Sequence, residues 1–455
     1  MTPDQPVDLV LLGNPVFADR VVENGWLAVR GAKVVATGSG EPPQAASTLD
    51  YAGKWLLPGC VDGHTHAAAV QGWDGIESMT RAAATGGTTT CVDMPYDVPA
   101  MVQTADLLRE KAAKVEALAH VDMALYGTMR KDGGLGDLEG VIEAGACALK
   151  FSTYENSPTR FPRIAHDVMR EAFAIAARHD IPVSIHNEDQ ELIDALIARF
   201  VAEGKIGAEW HEPSRPPLSE LLANLEVFEI GAEAGARVHL AHATLARSFD
   251  QAAGYRARGE RMSAETCVHY LILSNENMIA AGAKMKVNPP IRPAAEKEAL
   301  WRSLLDGRIA FVSSDHAPWP LERKQAPVIF DNPSGARGID TLLTAFHDEA
   351  VSRRGHPVTL VARYLSEAPA RHFGLWPRKG GLHDGADADV AVVDPTAVWT
   401  FDESMIDDWL KWSVFHGRQF TGKVAATFVR GQMVYDGKTV VGPKGHGSFI
   451  PPVGG

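Results

Sequence analysis

The middle of the chain alternates short apolar runs with longer amphipathic stretches. The short runs are rich in Val, Ile, Thr and aromatic residues, which is typical of buried strands. The longer stretches are rich in Ala and repeat their apolar positions with a helical period. The strand candidates are residues 60–66, 88–94, 121–127, 146–151, 182–186, 237–242, 262–267 and 308–315. The helix candidates between them include residues 105–119, 165–178, 218–234 and 294–305. Eight strands that alternate with helices predict an α/β fold, a closed (β/α)8 TIM barrel.

Both ends of the chain carry short alternating runs broken by glycines. These runs are residues 7–12, 25–29, 33–37 and 54–57, and then 389–393, 425–430, 432–435 and 438–441. The pattern predicts antiparallel β structure, and we expect the two flanks to pair into one small β-sandwich. We therefore assign residues 1–57 to the first part of the sandwich and residues 58–382 to the barrel. Residues 383–455 form the second part of the sandwich and an extended tail.

Composition narrows the classes of partner. The 455 residues are 45% hydrophobic and 22% charged, which suits a globular protein with a large core. The formal net charge of −13 argues against nucleic acids and anionic membranes as partners. Neither a signal peptide nor a membrane-length apolar run is visible, so we expect a cytoplasmic protein. Four widely spaced cysteines in apolar segments predict buried, reduced thiols; they are Cys60, Cys91, Cys147 and Cys267.

Side chains capable of metal chemistry occur where five predicted barrel strands end. They are His64, His66, Lys150, His186, His242 and Asp315. Because the carboxyl ends of barrel strands meet at one face, we expect these side chains to share one mouth. Alternate residues of a strand share a face, so His64 and His66 can reach the same ion. One such residue alone could simply cap a loop or a helix. Six together predict a site for zinc, iron, cobalt or manganese.

Lys150 is the unusual member, since it lies in the otherwise apolar run of residues 146–151. One interpretation is a lysine that extends its ammonium group from the barrel rim into solvent. The other is a lysine that has lost its proton and reacted with carbon dioxide to form an anionic carbamate, which could bridge two cations. Taken alone, such a lysine is more often of the first kind. The second interpretation fits a lysine whose pKa is depressed by burial and nearby positive charge.

Several segments resemble the cyclic amidohydrolases, the group of allantoinase, dihydropyrimidinase (hydantoinase) and dihydroorotase. The matching segments are residues 57–66 (LPGCVDGHTH), 82–89 (AAATGGTT), 265–271 (ETCVHYL), 288–292 (NPPIR), 315–318 (DHAP) and 385–389 (GADAD). The resemblance spans nearly the whole chain. It implies hydrolysis of a small cyclic amide or ureide by a homo-oligomeric enzyme, a tetramer or a dimer.

The resemblance also implies a site with two divalent metal ions, zinc being the first expectation. His64, His66, Lys150 and Asp315 would bind the first ion. Carboxylated Lys150, His186 and His242 would bind the second, and a hydroxide would bridge the pair and attack the scissile carbonyl. Asp315 would be the catalytic residue that accepts the proton of the hydroxide and passes it to the leaving ring nitrogen.

The sequence defines the substrate less well. Dihydroorotases carry an Arg shortly after the HxH pair, whereas residues 67–71 here are AAAVQ, which favours a neutral ring. Asn288-Pro289-Pro290 resembles allantoinases, but the chain lacks their Glu-Pro-Gly after HxH and has Trp319 after Ala317-Pro318. We therefore expect an allantoinase-like enzyme, with a hydantoinase, dihydropyrimidinase or other cyclic imide hydrolase as the alternative. A dihydroorotase and a non-catalytic scaffold relative rank lower.

Candidate substrate contacts are few. Asn288 belongs to the segment that resembles allantoinases, and Tyr154 lies near the position of an oxyanion-binding tyrosine of dihydropyrimidinases, with spacing one residue short. Tyr154 could equally pack on the barrel rim. Trp319 and Trp73 are candidates for the lining of the mouth, with ordinary rim packing as their alternative.

Overall fold

The structure, a computed structural model, describes residues 6–132 and 134–453. The strands are β1 (Val7–Pro15), β2 (Gly25–Arg30), β3 (Lys33–Ser39), β4 (Ala45–Pro58), β5 (Cys60–Thr65), β6 (Thr88–Asp93), β7 (Asp122–Gly127), β8 (Ala148–Ser152), β9 (Pro182–His186), β10 (Arg237–Leu240), β11 (Met262–Ala264), β12 (Thr266–Cys267), β13 (Val312–Ser313), β14 (Val390–Thr400), β15 (Gln419–Val429) and β16 (Gln432–Tyr435).

The α-helices are α1 (Gly75–Thr85), α2 (Ala105–Leu118), α3 (Leu138–Glu143), α4 (His166–Arg178), α5 (Gln190–Ala202), α6 (His211–Ser214), α7 (Pro217–Ala234), α8 (Ala246–Ala257), α9 (Val268–Ile272), α10 (Asn275–Ala281), α11 (Ala294–Leu305), α12 (Leu342–His347), α13 (Thr359–Ala362) and α14 (Ala368–His372). Two π-helical segments, Asp348–Arg353 and Arg363–Glu367, continue α12 and α13. Short 3-10 turns are Gly72–Asp74, Ala208–Trp210, Gly282–Met285, Leu321–Lys324, Ile329–Asp331 and Glu403–Met405. No helix within the described ranges is long and apolar enough to cross a membrane.

Strands β5 to β13 form the parallel barrel. Strands β5 to β11 pair in sequence order, and β12 pairs with β13. The seventh barrel strand is split into β11 and β12 at Glu265. The barrel closes where Thr65 pairs with His316 and where the backbone N–H of His66 donates to the carbonyl of His316 at 3.0 Å. This confirms the predicted (β/α)8 barrel, although the eighth strand is only Val312–Ser313 and not residues 308–315.

Burial explains why these runs fold as strands. Every residue of β5 to β9 is buried, because neighbouring strands and surrounding helices cover both faces. Helix α7 illustrates the local signals: Pro217 occupies its first turn, and Gly235 ends it with φ 64°, a conformation that favours glycine. All four cysteines are buried and unpaired, as predicted.

The chain flanks form a small β-sandwich whose strands hydrogen-bond in the order β16-β15-β14-β4-β1-β2-β3. As predicted, the flanks join, since β4 pairs with β14 in antiparallel fashion. Two details differ from expectation. Strand β4 pairs with β1 in parallel. Strand β2 occupies one edge of β1 and β3 pairs with β2, so the chain crosses to the opposite edge of β1, where β4 lies. Residues 438–441 contribute only an isolated bridge between Val440 and Tyr435 instead of a strand.

The C-terminal tail closes the amino-terminal end of the barrel. The backbone of Met123 pairs with the tail on both sides, accepting from Ile450 N at 2.8 Å and donating to Ser448 O at 2.9 Å. The side chain of Ile450 is fully buried against the barrel core. At the same end, buried Lys379 contacts three carboxylates, those of Asp122, Asp387 and Asp389. This end is therefore sealed by packing and ion pairs.

Candidate active site

The structure brings the six predicted ligand residues together in one cavity. The cavity has a volume of about 100 Å³ and opens at the carboxyl ends of the barrel strands. Its lining includes all six, His64, His66, Lys150, His186, His242 and Asp315. Three of them lie in strands β5, β8 and β9, and the other three follow β5, β10 and β13 by one or two residues. Each of the six residues lies close to or just after the end of a barrel strand, which explains why their side chains meet.

Three donor atoms converge on one side of the cavity. His64 Nε2 lies 3.3 Å from Asp315 Oδ1, and His66 Nε2 lies 3.4 Å from the same oxygen. Burial alone would raise the pKa of Asp315, but His64 and His66 outweigh it and hold that pKa below its ordinary value. Asp315 is therefore a carboxylate. Two imidazoles and a carboxylate within 4.8 Å of one another fit a divalent cation.

Two further imidazoles of the cavity lie in contact with each other. His186 Nδ1 lies 3.0 Å from His242 Nε2. Burial is the main reason why the pKa of each ring is lowered, so both rings are neutral at pH 7. Neutral imidazole is the form that binds metals. This pair fits a second cation.

Lys150 lines the same cavity and is fully buried. Its Nζ has no hydrogen-bond partner among the described residues. Burial lowers the pKa of Lys150, and the negative charges of Glu265 and Asp315 oppose that shift only in part. A bare buried ammonium without a partner is costly. The environment therefore fits a lysine that has become an anionic ligand better than a structural cation.

Two of the six residues have an unusual backbone. His242 has φ 41° and Asp315 has φ 48°, so both lie in the left-handed region that non-glycine residues rarely adopt. Each such residue costs about 1–3 kcal/mol and persists where the surroundings fix it. Both follow strands that end early, at Leu240 and Ser313, where extended structure was predicted. The left-handed residues turn the chain as it leaves the barrel.

Carboxylates behind the cluster orient its imidazoles. Glu265 Oε1 lies 2.7 Å from His64 Nδ1, and Glu188 Oε2 lies 3.0 Å from His186 Nε2. Burial alone would raise the pKa of Glu188, but Arg215 and then His186 lower it to about 2. Such contacts fix the tautomer and direction of a ligand histidine. Sequence reasoning missed this role; the one available signal was a carboxylate, Glu265, inside an apolar barrel strand.

The structure places some of the predicted substrate contacts and mouth residues in the cavity wall and others outside it. Asn288 lines the cavity, as does Trp319. Tyr154 is not among the lining residues; its ring lies 6.4 Å from that of His186. The role of Asn288 and Tyr154 in substrate binding stays a prediction. Trp73 instead donates to Asp97 Oδ2 at 3.1 Å outside the lining.

Comparisons with known proteins agree with this architecture. The sequence profile of the amidohydrolase family matches residues 55–434. The chain is 34% identical to an allantoinase of Rubrobacter xylanophilus, over 98% of both proteins. It is 32% identical to an allantoinase of Deinococcus radiodurans, over 96% of this chain and 98% of that protein. Among solved structures, it is similar to the L-hydantoinase (dihydropyrimidinase) from Arthrobacter aurescens, with a TM-score of 0.94 and 28% identity over 98% of this chain and 100% of that one.

Proposed function

Because the chain belongs to the amidohydrolase family, we propose that it is a metal-dependent hydrolase that opens a cyclic amide or ureide ring. The observation that carries this proposal is the convergence of four imidazoles, one carboxylate and an unpartnered lysine in a single cavity. Family and donor set together point to divalent metal ions. Zinc is the first candidate, because imidazole nitrogen and carboxylate oxygen are ligands it prefers.

We assign the ligands by their grouping. His64, His66 and Asp315 would hold one ion, and His186 and His242 the other. Lys150 lines the same cavity, and its carboxylated form would bridge the two ions. The uncharged amine would form a bond from Nζ to the carbon of carbon dioxide and lose a proton, which leaves a carbamate with one negative charge. This modification replaces a costly buried ammonium by an anion that both ions attract.

When bound, the two ions would supply a water of lowered pKa and polarise the scissile carbonyl. The residues of the chain would transfer the proton and hold the imidazoles in place. Asp315 would accept the proton of the attacking water on a carboxylate oxygen and pass it to the leaving ring nitrogen. Glu265 and Glu188 hold His64 and His186 in fixed orientations, so little reorganisation is needed.

The relatives support allantoin as the first substrate to assay. The absence of an Arg directly after His66 supports a ring that carries no carboxylate. The likeness to the L-hydantoinase favours hydantoins or dihydropyrimidines as the second candidate class.

The test is a panel of allantoin, hydantoins, dihydrouracil, dihydroorotate and a cyclic imide, each assayed with metal-loaded protein. We expect opening of at least one neutral-ring compound and little or no opening of dihydroorotate. Dihydroorotate as the best substrate would contradict the neutral-ring assignment. No turnover of any compound would favour the non-catalytic scaffold.

A further inference from the structure

Arg160 lines the mouth of the same cavity, outside the ligand cluster. It lies in a turn closed by two backbone hydrogen bonds, in which Phe161 N donates to Ser157 O at 2.9 Å and Ser157 N to Phe161 O at 3.1 Å. Phe161 stacks on the buried ring of Tyr96, with centroids 3.9 Å apart. The turn is therefore anchored to the cavity wall, and Arg160 is held at the rim.

In the described part of the chain, no carboxylate forms an ion pair with Arg160. Within residues 6–132 and 134–453, its guanidinium forms no hydrogen bond or ion pair. Asp97 exerts a weak opposing charge, but Lys111 Nζ binds that carboxylate at 3.0 Å and Trp73 Nε1 binds it at 3.1 Å. Burial first, and then Arg323, lower the pKa of Arg160. A half-buried, unpaired guanidinium attracts an anion more strongly than one in water does.

The rim of the cavity is cationic although the whole chain carries a net charge of −13. The indole of Trp319 lies near two guanidinium groups, with Arg160 at 5.9 Å and Arg323 at 4.7 Å from the ring centroid. Among the described lining residues, the one carboxylate is Asp315, which belongs to the ligand cluster. A ligand that reaches from the cluster to the rim therefore meets an unbalanced positive charge.

We propose that the substrate ring bears an exocyclic arm with a carboxylate, and that Arg160 binds this carboxylate. The inference rests on the ring-opening function proposed above and narrows its substrate class to cyclic ureides with a neutral ring and an acidic arm. A guanidinium pairs with a carboxylate through two parallel hydrogen bonds, which fixes the direction of the arm. The ring then presents its carbonyl to the cluster. A neutral arm, such as that of allantoin, gains less from this contact.

A matched pair of substrates tests the inference. Hydantoin-5-propionate and hydantoin-5-propionamide have nearly the same shape and differ in charge, and each enantiomer is assayed separately. We expect the native enzyme to prefer the acid by about 10- to 100-fold in kcat/KM, mainly through KM, since one charged hydrogen-bonded contact is lost with the amide. The variant R160Q should remove the preference, and R160K should retain part of it. Added salt should weaken the preference of the native enzyme.

Arg163 provides the matched control. It lies three residues further along the same loop and lines a separate surface with Lys131 and Glu155. The variant R163Q should keep the native preference for the acid. Equal kcat/KM for both compounds in the native enzyme, or a preference that survives in R160Q, would overturn the inference and leave the ring-opening function standing. If neither hydantoin, nor allantoin, nor dihydrouracil is opened, the proposed function fails and this inference fails with it.

Discussion

The two ends of the barrel each bury a lysine, and the two lysines have opposite surroundings. At the amino-terminal end, Lys379 Nζ lies 2.9 Å from Asp387 Oδ2 and 2.8 Å from Asp389 Oδ2, and it also contacts Asp122. At the carboxyl end, Lys150 is equally buried but has no hydrogen-bond partner in the described part of the chain. The acidic oxygens of Asp122, Asp387 and Asp389 are close enough together for a cation, and the ammonium group of Lys379 is that cation.

The difference distinguishes a lysine that stabilises the fold, Lys379, from one that we propose takes part in the chemistry, Lys150. The carboxylates around Lys379 balance its charge. These ion pairs connect the segment before β14 of the sandwich to strand β7 of the barrel. Around Lys150 the carboxylates of Glu265 and Asp315 offset burial only in part and accept no hydrogen bond from Nζ, so the charge of an ammonium is left uncompensated. Proteins seldom retain such an arrangement for stability, and perturbed groups in clefts are candidates for function. We therefore expect the loss of Lys150 to reduce activity and the loss of Lys379 to reduce stability.

Removing Lys150 gives the largest expected effect. The variant Lys150→Ala should lose metal and activity together, by about 10³-fold or more, because metal ions supply several kcal/mol of transition-state stabilisation. Turnover and metal content are measured on the same preparations. Added acetate or another short acid should restore part of the activity by replacing the proposed bridging carboxylate.

The control is Lys150→Arg, which acetate should not rescue, since a guanidinium stays charged and occupies the space of the bridge. Wild-type turnover and metal content in this variant would contradict carboxylation. Clear density for an unmodified amine at full metal occupancy would count equally against it.

Removing Lys379 should affect stability and leave the chemistry intact. The variant Lys379→Met leaves three buried carboxylates without their shared cation, which should cost about 3–5 kcal/mol. A lower midpoint of thermal unfolding would measure this cost, while kcat of the remaining folded enzyme stays near the native value. Unchanged stability would mean that Arg430, Arg378 and Lys33, which also contact these carboxylates, already suffice. The contrast between the two lysines would then be lost.

A smaller effect is expected for Glu265, which contacts His64, a proposed metal ligand. The variant Glu265→Gln keeps the shape but removes the carboxyl group beside His64 Nδ1, so metal affinity should fall about 10- to 100-fold. Competition with a chelator measures the affinity, and kcat should largely recover at saturating metal. A kcat that stays low in fully loaded protein would argue against a purely positioning role.

Strand ends made the site predictable, since in a barrel the order of the strands determines which residues meet. The six cluster residues follow from that rule, and the joining of the flanks follows from the alternating runs at both ends of the chain. Contacts between distant side chains were not predictable. The pairing of Glu265 with His64 joins residues 201 apart, and the left-handed turns at His242 and Asp315 depend on packing around them. Strand β4 begins at Ala45, whereas the sequence predicted a strand only from Lys54. The first half of β4 is largely exposed and therefore lacks the apolar pattern that predicts a strand.

The metal content of the native protein tests the central claim most directly. Protein purified without chelators is analysed for its elements, and the same sample is assayed on the best compound of the substrate panel. We expect about two divalent ions per chain, and activity that disappears with a chelator and returns with the metal. A protein that is free of metal and fully active would contradict the account.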